Sequence, residues 1–74
     1  MDKKLELQGR LANDYLYHPP HGDQVRRYEQ LREQGHVLAE IIVDMTPVSR
    51  EQSLALTYVE QAIMFANAAI ARNE

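Results

Sequence analysis

The chain has no cysteine. Disulfides and thiolate metal sites are therefore excluded, and the redox compartment is left open. No unbroken apolar run reaches the roughly 18 residues of a membrane span. The opening Met1-Asp2-Lys3-Lys4-Leu5-Glu6 lacks the apolar stretch of a signal peptide. Positive charge is short as well: eight Lys and Arg stand against eleven Asp and Glu, for a net charge of −3. That balance argues against a general duplex-DNA or RNA binder, which needs a basic face. At 74 residues there is room for one small domain. A chain of that size buries only about 60% of its unfolded surface, so self-association is the support still open to it. The expectation is a soluble intracellular protein that oligomerises.

Two breaks organise what is present. Pro19-Pro20-His21-Gly22 and Thr46-Pro47-Val48 both oppose helix, because proline disfavours it at its own position and just before. They leave an N-terminal arm, residues 1–17, and a hairpin region, residues 18–74. The hairpin comprises one helix near 24–44 and another near 50–72. Asp23 stands at the cap position of the first, while Ser49 followed by Gln52 has the form of a capping box for the second. Similar lengths joined by a short turn predict an all-α, antiparallel two-helix hairpin. In the arm, Leu5, Leu7, Leu11, Tyr15 and Leu16 suit one short amphipathic helix, weakly interrupted by Gly9.

Tyr28, Leu31, Gly35, Leu38, Ile42 and Met45 recur at three- and four-residue steps, a seam in which Gly35 permits close approach. Val37 and Ile41 make a second, smaller strip. Residues 62–71 are apolar all round apart from Asn67, and such a helix is buried all round. One neighbouring helix covers only one side of it. The other side meets a second copy, a different partner, or the arm folded back. Asn67 then needs a hydrogen-bond partner, either across an interface or on a ligand.

The segment from Tyr15 to Tyr28 holds the groups with most chemistry: Tyr15, Tyr17, His18, His21, Arg26, Arg27 and Tyr28, with Arg32 one turn on. Aromatic faces stack on nucleobases, helix N-termini attract phosphate, and arginines add charge-assisted bonds to it. The combination suits a small phosphorylated nucleotide, although tyrosines beside a proline turn also act as hydrophobic staples and arginines as solvated charge. His18, His21 and Asp23 lie across a Pro-Pro-Gly turn without the regular presentation or fourth ligand of a zinc site, so no metal and no cofactor is assigned. No P-loop, nucleophile elbow or dinucleotide fingerprint occurs, and no enzyme is expected.

Tyr17-His18-Pro19-Pro20, Gly22-Asp23-Gln24, Arg27-Tyr28-Glu29 and Leu31-Arg32 closely resemble the opening of the phage helical-hairpin family of cyclic-nucleotide sponges. That family includes the anti-CBASS sponges and the hairpin part of a Thoeris anti-defence protein. Ser49-Arg50-Glu51, Ser53-Leu54-Ala55-Leu56-Thr57 and Ala66-Asn67-Ala68-Ala69-Ile70-Ala71-Arg72-Asn73 resemble its second half. The resemblance covers residues 17–73 and implies a small helical homo-oligomer, hexamers being known. Such a protein sequesters cyclic di- or trinucleotides between subunits without cleaving them, in the cytoplasm of an infected bacterium. Motif position implies that Tyr17 stacks on a base and Arg32 supplies a cation. His18, Pro20, Gln24, Arg27 and Tyr28 would line nearby surface, and Asn67 and Arg72 would serve a second pocket or the oligomer contact. His21 stands where many relatives have lysine, which implies binding that tightens below about pH 6.5. The chain stops soon after the hairpin, so cyclic oligonucleotides are expected rather than cyclic ADP-ribose-type signals. The competing readings are an oligomeric module for a protein partner and a phosphodiesterase that degrades the messenger.

Overall fold

The computed structural model describes residues 2–74, which form three helices: α1 (Lys3–Tyr15), α2 (Gln24–Met45) and α3 (Arg50–Asn73). No strand occurs among the described residues. Gly9 does not interrupt α1, whose first turn is capped by the Asp2 carboxylate accepting from the Lys4 amide at 2.9 Å. The chain then runs through Pro19-Pro20 to Gly22, whose φ of +59° reverses its direction. Glycine adopts that left-handed conformation without the steric penalty other residues meet.

The two later helices start differently. Ser49 caps α3 as expected, its hydroxyl accepting from the Gln52 amide at 3.1 Å. The Gln52 side chain does not close the box; it donates instead to the carbonyl and hydroxyl of Thr46, both at 3.1 Å, and ties the turn together. Asp23 departs from expectation. Its side chain makes no cap hydrogen bond; it turns to Arg26 at 3.2 Å and Arg27 at 3.1 Å. Gln24 does the bridging, accepting from the His21 amide at 3.1 Å while its own amide donates to the His21 carbonyl.

α2 and α3 pack antiparallel. Of the expected seam, Tyr28, Leu31 and Ile42 are half-buried and Gly35 is buried, but Leu38 and Met45 stay exposed and Ala39 is half-buried instead. The partners from α3 are Ala55, Leu56, Val59, Ile63, Ala66 and Ile70. The closest approach is at Gly35, where a Cβ would lie 2.6 Å from Ile63 Cγ1. Among the described residues no hydrophobic side chain is fully buried.

A large apolar area is therefore left open. Phe65 is 70% exposed and Met64 67%. The arm does not fold over them: α1 meets α3 at its far end, Asn13 Nδ2 donating to the Arg72 carbonyl at 3.2 Å. The chain exposes 6198 Å², against about 4,700 Å² for a folded monomer of its mass. Its radius of gyration is 16.4 Å, against about 11 Å for a compact domain of its length. By length and composition α3 is also apolar enough to cross a membrane. Unbroken runs understate this, because Thr57, Glu60, Gln61 and Asn67 interrupt them without changing the character of the helix.

Gly35→Ala should destabilise the hairpin by about 1–3 kcal/mol in denaturant unfolding, the overpacking outweighing the gain in helix propensity. In an Ile63→Ala background the same change should become neutral or stabilising, because the clash is gone.

Candidate functional site

The antiparallel register sets the start of α2 beside the end of α3, with the 16–23 connection passing over both. Between them lies an open depression of about 480 Å³. Seven of the nine residues singled out from the sequence line it: Tyr17, His18, Pro20, Tyr28, Arg32, Asn67 and Arg72. Asn67 and Arg72 thus share one depression with Tyr17 and Arg32 in the single chain. Asp14, Leu16, Ala68 and Ala71 complete the lining. The two alanines were readable in principle, since 67, 68, 71 and 72 fall on one side of a helix. Asp14 was not, because its place depends on how α1 docks.

Each wall is held by identifiable contacts. The Asp14 carboxylate lies 3.6 Å from Arg72 Nε and 3.7 Å from Arg10 Nε. The Arg72 carbonyl accepts from Asn13, so that arginine is fixed at both its backbone and its side chain. His18 Nε2 lies 2.6 Å from the Asn13 carbonyl and anchors the start of the Pro-Pro segment. Tyr17, 83% exposed, stands free on the rim with its ring available for stacking. Asn67 Oδ1 is a buried acceptor without a hydrogen-bond partner. An unpaired buried amide oxygen costs on the order of 1–3 kcal/mol.

Gln24 and Arg27 lie elsewhere. Gln24, only 3% exposed, is the joint between the 16–23 connection and α2. With His18, His21 and Arg72 it borders a neighbouring hollow of about 380 Å³. Arg27 faces the opposite side of the hairpin beside Gln30, Leu31, Gln34 and Ile70. It is held by Asp23 at 3.1 Å and by a two-pronged ion pair with Glu74, one prong at 2.8 Å. Arg26 is engaged by the same Asp23 and by Gln30. Two of the three arginines expected to meet phosphate are thus paired with carboxylates, whereas Arg32 makes no ion pair among the described residues.

The Arg27–Glu74 pair is strong enough to shift both partners. Arg27 is raised above its ordinary range, chiefly by its hydrogen bonds to Glu74. Glu74 is lowered from 4.5 to about 2, first by the hydrogen bonds from Arg27, with desolvation opposing and Gln24 assisting. A depressed carboxyl contributes stability above its unfolded pKa and loses it on the way down to its folded one. Protection of the amides in the last turn of α3 should therefore fall as pH drops from about 4.5 to about 2. Hydrogen exchange at residues 70–73 reads this directly, and Glu74→Gln should abolish the pH dependence.

A comparison with protein-family models matches residues 8–71 to the hairpin domain of Acb2/Tad1. No curated protein and no solved structure matches. The matched segment includes most of α1, the Pro-Pro connection, all of α2, and α3 up to residue 71, so that Arg72 and Asn73 fall just outside it. The chain belongs to the Acb2/Tad1 hairpin family, the anti-CBASS and anti-Thoeris sponges that its two motifs resemble.

Proposed function

We propose that this member of the Acb2/Tad1 hairpin family sequesters cyclic oligonucleotide second messengers and does not cleave them. In the cytoplasm of an infected bacterium it would keep CBASS-type effectors unactivated. The observation that carries this reading is the depression itself, which brings together a free aromatic ring at Tyr17, a cation at Arg32 and the amide side chain of Asn67. A cyclic oligonucleotide offers the matching parts, a base face to stack, a phosphate to neutralise and base-edge donors to pair. Holding the ligand without reacting it fits the side chains present. His18 is tied to a backbone carbonyl, and Asp14 is paired with two arginines.

Self-association belongs to the same proposal. The exposed surface exceeds that of a compact monomer by about 1,500 Å², close to two standard interface faces of roughly 800 Å². More than one interface per subunit suits a closed assembly larger than a dimer, with a hexamer as the state implied by the resemblance.

Titration calorimetry with cyclic di-purine nucleotides, cyclic tri-adenylate and a linear dinucleotide tests the reading. A cyclic ligand should bind and be recovered intact after heating the complex. Tyr17→Ala should weaken that binding by about 5- to 150-fold, the range of one lost stacking contact. Arg32→Ala should weaken it as well. Silence across the panel would overturn the sponge reading in favour of a module for a protein partner, and recovery of cleaved ligand would overturn it in favour of a phosphodiesterase.

A further inference from the structure

A second feature shares the face that carries the ligand depression. Positions 28, 32, 39 and 43 of α2, and 56, 60, 67 and 71 of α3, recur at the three- to four-residue steps, doubled once, that keep one side of a helix. The depression occupies one end of this face. The other end, near the 46–49 turn, holds a separate groove of about 610 Å³ lined by Ala39, Glu40, Val43, Asp44, Leu56 and Glu60. Half the lining is aliphatic and the other half is carboxylate, with no cation among the six.

α1 carries the complementary pattern. Leu7, Leu11 and Tyr15, at successive four-residue steps, form a ridge in which all three are exposed. Lys3 and Lys4 stand one turn before Leu7. The ridge and the groove do not meet within one chain. α1 is pinned at Asn13 and Asp14 to Arg72, at the end of α3 opposite the groove. The molecule is 51 Å long, whereas α3 accounts for only about 36 Å, so α1 projects beyond the hairpin.

We infer that α1 of one copy seats its Leu7–Leu11 ridge in the α2–α3 groove of a second copy, with Lys3 and Lys4 against Glu40, Asp44 and Glu60. The inference rests on the self-association in the proposed function and names the contact that makes it. Because depression and groove lie at opposite ends of one face, a two-fold exchange sets the groove end of each copy over the Tyr17 depression of the other. The partner copy then closes the open ligand site, the between-subunit placement that the resemblance implies.

The absence of native cysteine makes the contact directly testable. Chains carrying Leu11→Cys and Val43→Cys, mixed and oxidised, should give mainly the mixed disulfide dimer. Homodimers alone, or no crosslink, would overturn the inference. A charge exchange provides a test free of engineered thiols. Lys3→Glu with Lys4→Glu places acid on both surfaces, and Glu40→Lys with Asp44→Lys and Glu60→Lys places base on both. Each variant alone should associate about tenfold more weakly than the natural chain, and the two mixed should recover, as two or three rim pairs imply. Self-association of either variant at the natural strength would overturn the arm contact while leaving the sponge reading intact. A natural chain that sediments as a monomer yet binds cyclic nucleotide would overturn the arm contact and the assembly. Loss of ligand binding alone would count against the sponge reading only.

Discussion

Two helices laid side by side enclose no interior, and α3 is too apolar to be satisfied by one neighbour. Its face toward α2 is covered through Ile63 at Gly35 and through the alanines at 55 and 66. Its other face, with Met64 and Phe65, meets solvent in the isolated chain. Hydrophobic burial is the dominant favourable term in folding, and the self-association proposed above would supply what the single chain leaves unrealised. The elongated outline, the projecting α1 and the open depression are aspects of that one shortage.

The depression follows from register. Helices of nearly equal length, running in opposite directions, set the first turns of α2 against the last turns of α3. Tyr28 and Arg32 thereby share a wall with Asn67 and Arg72, although about forty residues of sequence lie between. The connection through Pro19 and Pro20 lays Tyr17 and His18 across the same gap, and Gly22 turns the chain into α2. A ring, a cation and an amide side chain from three segments converge on one depression.

The sequence made the elements legible more readily than their partnerships. Pro19, Pro20 and Pro47 marked the breaks, and Ser49 marked the start of α3 with its capping bond in place. Gly35 was readable because a residue without Cβ in an apolar seam has few other reasons to be there. Asp23 was misread, since a carboxylate after Gly22 looks like a cap until the competing arginines one turn away are placed. Gln24 and Arg27 were placed near the ligand residues by motif position in the resemblance; in the structure Gln24 lies in the joint before α2, and Arg27 is held by Asp23 and Glu74 on another side of the hairpin. Adjacent helical positions point about 100° apart, and three residues of uncertainty in where a helix begins is enough to lose the distinction. The reach of α1 was beyond pattern reading, because its direction is set by two side chains at residue 72.

The hold that Asp23 keeps on Arg26 and Arg27 has a consequence for how a ligand is retained. Much of the positive charge near the start of α2 is already neutralised within the chain, and among the described residues Arg32 is the arginine of the depression without an ion pair. Affinity built on many phosphate contacts collapses as salt rises, because each contact releases condensed counter-ions. A site whose cation, among the described residues, is Arg32 beside the stacking ring of Tyr17 has little to lose that way. A grip built in that way would depend little on ionic strength.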